Sequence, residues 1–158
     1  MKQNVKRLPY GINDFEAVIE QNQYYVDKTM FIPELEKQPR NLFFIRPRRF
    51  GKSIFLSMLY SYYDCAQSHK FQSLFGNLWI GQHPTPLQGK YQVLFLDFSQ
   101  ITGNIDKLET KFNSYLSINL DAFVRQYSEY YQAEMEEILA QEDFEEKMEL
   151  IFKAAKAH

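Results

Sequence analysis

A short apolar run followed by a glycine-lysine-serine triplet constrains the fold of this 158-residue chain more than any other feature. Residues 42–53 read Leu-Phe-Phe-Ile-Arg-Pro-Arg-Arg-Phe-Gly-Lys-Ser. The first four residues are continuously apolar, which is typical of a strand covered on both faces at the centre of a parallel sheet. The residues that follow are apolar on nearly every side of a helix, which predicts a buried helix. A strand, a tight loop and a buried helix in this order predict a phosphate-binding loop.

The end of this segment matches the last three residues of the phosphate-loop pattern, a glycine, four residues and then Gly-Lys-Ser/Thr. Gly51 would let the backbone approach phosphate oxygens because it has no Cβ. Backbone N–H groups at the start of the helix would form an anion-binding nest. Lys52 would place its ammonium between the terminal phosphates, and the Ser53 hydroxyl would ligate magnesium. The alternative is a strand-to-helix turn in which Gly-Lys-Ser is only a good helix start.

Arginine replaces the first glycine of that pattern at Arg46, and Arg48 and Arg49 follow. Together with Lys52 they concentrate positive charge in a chain whose net charge is −2. This charge could neutralise further phosphate or pair with neighbouring acids. Alternatively, one arginine contacts a nucleotide or the backbone of a nucleic acid.

Two further apolar segments extend the prediction to an α/β fold with a parallel sheet. Residues 24–26 form a short strand candidate, and residues 93–98 form a second strand buried on both faces. The predicted elements follow the order of a doubly wound domain, which is strand, loop, helix, crossover, strand and helix. Since a sheet usually has about five strands, the predicted sheet is incomplete. Helices are expected after Asn13, after Asp27 or Thr29, through residues 71–79, over about residues 106–130 with Asn104 as cap, and from there to His158.

Four segments occur in a specific order: residues 8–15, 25–29, 44–53 and 93–99. Their order and sequence resemble those of the bacterial AAA-ATPase-like family over essentially the whole chain. In that family Arg-Pro-Arg-Arg-Phe-Gly-Lys-Ser is the Walker A loop. The resemblance implies a three-layer P-loop NTPase fold, ATP with magnesium, and a larger protein that often ends in a nuclease-like domain. The nucleotide-binding residues that it implies are Arg46, Pro47, Arg48, Arg49, Phe50, Gly51, Lys52 and Ser53.

The resemblance also implies that the chain is the N-terminal part of such a protein. Residues 1–40 would be a lead-in, and residues 41–158 a P-loop core truncated before the Walker B strand. Asp97 follows an apolar run and is a candidate for the magnesium-organising acid, but Phe98 and Ser99 follow it instead of a second acid. The alternative is that Asp97 ends a strand and shapes the site. Without a Walker B acid the chain is expected to bind ATP and hydrolyse it poorly, which leaves open whether it is itself an enzyme.

The alternative function is a non-hydrolytic module that binds nucleic acid or a protein partner through the arginine-rich loop. The small net charge gives no global electrostatic reason to bind nucleic acid or a membrane. No segment has the roughly 18 uninterrupted apolar residues that span a bilayer, and the N-terminus, residues 1–11, lacks the apolar stretch of a signal peptide. The single cysteine, Cys65, fits a reducing compartment, so a cytoplasmic location is predicted.

Other candidate residues have structural and functional interpretations. Asp27-Lys28-Thr29 is either a helix cap or a nucleotide contact. His69, His83 and His158 have no cysteine or acidic partners at ligand spacing, so no metal site is predicted. The acidic run from Glu134 to Glu149 is expected to be a solvated helix face rather than a docking surface. Packing is expected, in preference to base stacking, for six tyrosines: Tyr60, Tyr62, Tyr63, Tyr127, Tyr130 and Tyr131.

Overall fold

The computed structural model describes residues 6–156, which form helices joined by turns and irregular segments. The first residues of the predicted lead-in and His158 lie outside that range. The chain divides into two compact units, one ending at Val93 and the other beginning at Leu94. The α-helices are α1 (Phe15–Glu20), α2 (Ile32–Glu36), α3 (Lys52–Tyr63), α4 (Phe71–Phe75), α5 (Trp79–Gln82), α6 (Leu108–Gln126), α7 (Met135–Ala140) and α8 (Phe144–Ala155). Short 3-10 helices cover Thr29–Phe31, Cys65–Lys70, Phe98–Gln100, Ile105–Lys107 and Ser128–Tyr130.

The predicted parallel sheet is absent from the described residues, so the prediction of an α/β P-loop fold was wrong for this part of the chain. Residues 24–26, 42–45 and 93–98 form no strand, and the β-bridge between Asp64 and Tyr91 is isolated. Phe43 and Ile45 are 90% and 89% exposed, so one face of the segment predicted to be the central strand is not covered. An apolar run gives the side-chain character of a buried strand, but a strand also needs a neighbour for its backbone N–H and C=O groups.

The core of the first unit is aromatic. Phe15 of α1 stacks on Phe75 of α4 with ring centroids 5.0 Å apart. Tyr62 of α3 meets Phe75 edge to face, with the centroids 5.5 Å apart. Burial of an aromatic side chain of this size contributes about 1.5–3 kcal/mol. The buried-helix prediction for α3 holds on one side only, because Leu56 is 45% exposed.

A hydrogen-bond chain joins the start of α1 to α3. Asp14, rather than Asn13, caps α1: its Oδ2 accepts from the Ala17 backbone N–H at 3.0 Å. Its Oδ1 accepts from the Ser57 hydroxyl at 2.8 Å, and Ser57 Oγ in turn accepts from the Phe15 N–H at 3.0 Å. A side-chain cap stabilises a helix by about 1 kcal/mol. These bonds fix α3, the helix that follows the glycine-lysine-serine triplet, against the core.

Asp27 and Thr29 cap a helix that lies some fifty residues further along the chain. Asp27 Oδ1 accepts from the backbone N–H and the hydroxyl of Thr29, at 2.8 and 2.7 Å. Asp27 Oδ2 accepts from the Trp79 N–H at 2.7 Å, and Thr29 Oγ1 accepts from the Ile80 N–H at 3.1 Å. The predicted cap of the helix that follows was wrong, because α2 has Phe31 as its N-cap residue and no side-chain cap. Asp27 and Thr29 instead cap α5. The first N–H groups of a helix need such acceptors because they have no partner inside the helix.

The second unit packs α6 against α7 and α8. Leu116, Leu120 and Val124 of α6 are buried at helical spacing, whereas Leu108 and Phe112 nearer its start are exposed. The α-helix begins at Leu108 with Lys107 as its N-cap residue, and the Asn104 backbone oxygen instead accepts a bond from the Lys107 N–H.

Tyr62 of the first unit and Tyr127 and Tyr131 of the second are each at most 1% exposed, which confirms the packing prediction for these three tyrosines.

Four glutamates of the acidic stretch are solvated, whereas a lysine in the same stretch is buried. Glu136, Glu137, Glu145 and Glu146 are exposed, as predicted. Lys147 is only 1% exposed, and its Nζ donates to Asp121 Oδ1 at 2.5 Å and to Ser117 Oγ at 3.1 Å. A buried ammonium needs such partners, because an unpaired charge away from water is costly.

Candidate phosphate-binding site

The loop before α3 contains two residues with a left-handed backbone. Arg49 has φ 66°, and Gly51, the N-cap residue of α3, has φ 73° and ψ 25°. Glycine adopts this conformation at no steric cost, whereas it is uncommon for arginine. Left-handed residues within a turn direct successive N–H groups to one side, which is how backbone nests bind anions. The loop therefore has the turns that an anion-binding nest requires, directly before the N-terminus of a twelve-residue helix.

Lys52 is the first residue of α3, and its side chain folds back over the loop. Nζ donates to the backbone oxygen of Arg46 at 2.7 Å and to that of Pro47 at 3.0 Å. These bonds hold the ammonium at the loop instead of in bulk solvent. An ammonium has three N–H donors, so Lys52 can exchange a carbonyl partner for an anionic oxygen without leaving this position.

The other predicted loop residues are exposed. Ser53 lies in the first turn of α3 and Phe50 is 62% exposed. The guanidinium carbon of Arg46 lies 5.0 Å from the centre of the Phe44 ring, the geometry of a cation–π contact. Six of the eight predicted residues, 46–51, thus form an exposed loop ahead of α3, and Lys52 and Ser53 are the first two residues of that helix.

Asp97, the candidate magnesium ligand, belongs to the second unit. Its backbone N–H donates to the Tyr115 hydroxyl at 2.7 Å, and its Oδ1 accepts from the Ser99 N–H at 3.0 Å. Asp97 therefore caps the short helix Phe98–Gln100 instead of ending a strand. Its role as a magnesium ligand stays a prediction.

A cavity of about 320 Å³ opens beside the loop, within the first unit. Gly51 and Arg46 line it from the loop, and its apolar wall includes Phe31, Phe44 and Phe55. Phe44 and Phe55 stack with centroids 4.9 Å apart and an interplanar angle of 22°. Lys28, the middle residue of the Asp27-Lys28-Thr29 segment, also lines it. Sequence reasoning missed this cavity because it assigned Phe44 to a strand covered on both faces.

His69, His83 and Cys65 lie outside this site. His83 stacks on Trp79 with ring centroids 4.4 Å apart, and Cys65 is half-buried and forms no disulfide within the described residues. Between residues 6 and 156, no three His, Cys, Asp or Glu side chains are grouped so that they could hold a metal ion. Within the same range no helix has the length and apolar character to cross a membrane.

Comparisons with known proteins place nearly the whole chain in one family. A family model described as a predicted AAA-ATPase, AAA-ATPase-like, matches residues 9–158. A protein of Azotobacter chroococcum mcd 1, named "Uncharacterized protein in vnfD 5'region", is 51% identical over 55 residues. The aligned segment is 34% of this chain but only 11% of the Azotobacter protein. No solved structure matches the chain.

Proposed function

The chain belongs to the AAA-ATPase-like family, and we propose that it binds ATP with magnesium through residues 46–53. The observation that carries this proposal is the left-handed Gly51 at the start of α3, with Lys52 as the next residue. A glycine in this conformation leaves the helix N-terminus open to a phosphate group. The family match supports a nucleotide as the anion.

Each residue of the loop has a distinct part in the proposed binding. The N–H groups around Gly51 donate to phosphate oxygens, and the helix dipole of α3 favours their negative charge. Lys52 exchanges its backbone carbonyl partners for oxygens of the terminal phosphates. The exposed Ser53 hydroxyl fits a magnesium ligand, since Mg²⁺ prefers oxygen donors and is usually bound by few protein groups. Magnesium would neutralise part of the phosphate charge when bound.

The proposal covers binding and not turnover. Hydrolysis requires an acid or other polar group that positions water and stabilises charge at the terminal phosphate. The sequence offers Asp97 alone for a comparable role, and it lies in the second unit.

The first prediction concerns Lys52. We expect Lys52→Ala to weaken the binding of ATP with magnesium by at least about tenfold, because the variant loses charge-assisted hydrogen bonds to phosphate. Isothermal titration calorimetry measures the affinity with and without magnesium. Lys90→Ala is the matched control, since Lys90 is an exposed lysine of the same unit that is outside the loop. Absence of heat for the folded wild-type chain with ATP and magnesium would contradict the proposal.

The same variants separate nucleotide binding from nucleic-acid binding. If the exposed arginines bound DNA, binding would fall steeply with salt and would depend on Arg48 and Arg49 more than on Lys52. Nucleotide binding instead depends on Lys52 and requires magnesium. Titration of a short DNA duplex at two salt concentrations, with Arg48→Ala and Arg49→Ala combined, distinguishes the two functions.

A further inference from the structure

The cavity beside the loop shares two of its lining residues with the proposed phosphate site. Arg46 and Gly51 belong both to residues 46–53 and to the cavity wall. A ligand whose phosphates lie on the loop therefore has this cavity directly next to it. At about 320 Å³ the cavity is at the small end of the range for ligand pockets, about 300–1,000 Å³.

The wall of the cavity is aromatic and only partly covered. Phe55 is buried, whereas Phe44 is 37% exposed and Phe31 is 53% exposed. The Arg46 guanidinium, 5.0 Å from the Phe44 ring centre, adds a planar cation to this wall. Heterocyclic bases stack on aromatic rings and on guanidinium planes, because all of these groups present flat π surfaces.

The rim of the cavity supplies polar groups that match the edge of a base. Gln38 and Glu34 line the cavity, and Gln38 Nε2 donates to the Glu34 backbone oxygen at 3.3 Å. A glutamine amide offers a donor and an acceptor side by side, which matches the N6 amine and N7 of adenine. Lys28 and Arg46 add two positive charges to the lining, and the Glu34 carboxylate is paired with Lys37 at 2.7 Å, so the lining suits a ligand that is aromatic at one end and anionic at the other.

We propose that this cavity holds the purine base of the nucleotide, with the base packed against Phe31, Phe44 and Arg46. The inference rests on the proposed function, because the loop fixes where the phosphates lie. It assigns Lys28 to the nucleotide pocket, while Asp27 and Thr29 on either side of it cap α5.

The test compares ATP with inorganic tripolyphosphate, which has the phosphates but no base. Calorimetry in the presence of magnesium measures both ligands on the wild-type chain and on Phe31→Ala and Phe44→Ala. We expect each variant to weaken ATP binding by about tenfold, since base stacking on one aromatic side chain contributes that much. Tripolyphosphate binding should stay within about twofold of wild type, because the loop is unchanged.

Phe43→Ala is the matched control. Phe43 precedes Phe44 in the same segment, but it is 90% exposed and is not part of the cavity wall. We expect Phe43→Ala to bind both ligands like the wild type. Phe44 packs on Phe55, so circular dichroism and thermal unfolding check that Phe44→Ala is folded. Phe31 is half exposed, so Phe31→Ala is expected to disturb the core less. It therefore tests the cavity even if Phe44→Ala does not fold.

The outcomes distinguish this inference from the proposed function. If Phe31→Ala and Phe44→Ala bind ATP like the wild type while Lys52→Ala loses binding, the proposed base pocket is wrong and the proposed phosphate-binding loop is retained. Equal weakening of ATP and tripolyphosphate in the cavity variants also overturns the pocket, since it means that the loop has been distorted. If Lys52→Ala leaves both ligands bound, the proposed function fails, and the base pocket that depends on it fails too.

Discussion

The environment of Tyr25 in the folded chain changes the pKa of its phenol. Its ring lies edge to face with Phe15, 5.1 Å between centroids. Burial raises the pKa of Tyr25 above its ordinary range, and the nearby Asp27 carboxylate raises it further. Tyr63 behaves alike: burial raises the pKa of its phenol, as does the Glu36 carboxylate that accepts its hydrogen bond at 3.0 Å.

These raised pKa values predict a loss of stability at alkaline pH. The unfolded chain releases a tyrosine proton near pH 10, whereas the folded chain retains it. The stabilisation is therefore complete below about pH 10 and is lost as pH rises towards the folded pKa. Tyr25→Phe has no such proton, so its free energy of unfolding should fall less steeply with pH. Urea unfolding between about pH 8 and pH 11 measures this.

Tyr10→Phe is the control for that experiment, because Tyr10 is 98% exposed. We expect it to lose stability with pH as the wild type does. An alkaline decline in Tyr25→Phe equal to that of the wild type would show that Tyr25 does not contribute.

At the residue scale, the sequence predicted the loop better than its surroundings. Gly51, Lys52 and Ser53 are adjacent, so a local pattern identifies them, and α3 begins where that pattern requires. Lys28 and Phe31 come near the loop only through tertiary packing, which no spacing in the sequence encodes. The sequence predicted that Asp27 or Thr29 caps the next helix, whereas Asp27 accepts from the Trp79 N–H of α5. The sequence could not select this partner, because any N–H near a carboxylate satisfies the same rule.

At the element scale, helices were predictable where strands were not. The apolar stripes of α1, α3 and α6 follow the helical period, and a helix satisfies its backbone within its own segment. Residues 42–45 have strand-like side chains, but a strand depends on a second segment for its hydrogen bonds. The position of that second segment is a property of the whole fold, so the apolar run alone could not establish a sheet.

The contact between α8 and α6 depends on the buried Lys147. We expect Lys147→Ala to lower the free energy of unfolding of the second unit by about 2–4 kcal/mol, because Asp121 loses its partner and the lysine stem leaves a void. Lys147→Met should be less destabilising, since methionine fills most of the same space. Chemical unfolding followed by far-ultraviolet circular dichroism measures both variants.

Lys153→Ala is the matched control on the same helix, because Lys153 is exposed. Its effect should stay within about 0.5 kcal/mol. A Lys147→Ala variant as stable as Lys153→Ala would show that the ion pair with Asp121 contributes nothing net.

At the scale of the whole molecule, a low net charge coexists with a cluster of exposed apolar side chains. The chain has a net charge of −2, and Phe43, Ile45 and Phe50 are exposed within eight residues of one another. A clustered apolar surface on a protein of low net charge favours association between copies.

We therefore expect the chain to self-associate in a concentration-dependent way. Phe43→Glu combined with Ile45→Glu removes the apolar cluster and changes the net charge from −2 to −4, one unit per substitution. Sedimentation velocity over a range of concentrations should show less association for this variant.

Ile118→Glu combined with Phe152→Glu gives the same net charge while leaving residues 42–50 intact. Both side chains are exposed, at 68% and 57%. If this control suppressed association equally, net charge and not the apolar segment would be responsible.

The cap that Asp27 and Thr29 provide for α5 also orders events during folding. A helix of four residues is far too short to persist alone in water. Its first N–H groups find their acceptors only after the intervening fifty-odd residues have closed into a loop, and that closure costs chain entropy. We therefore expect α5 to form late in the folding of the first unit. Trp79 is the single tryptophan of the chain and the first residue of α5, so its intrinsic fluorescence reports the formation of this helix.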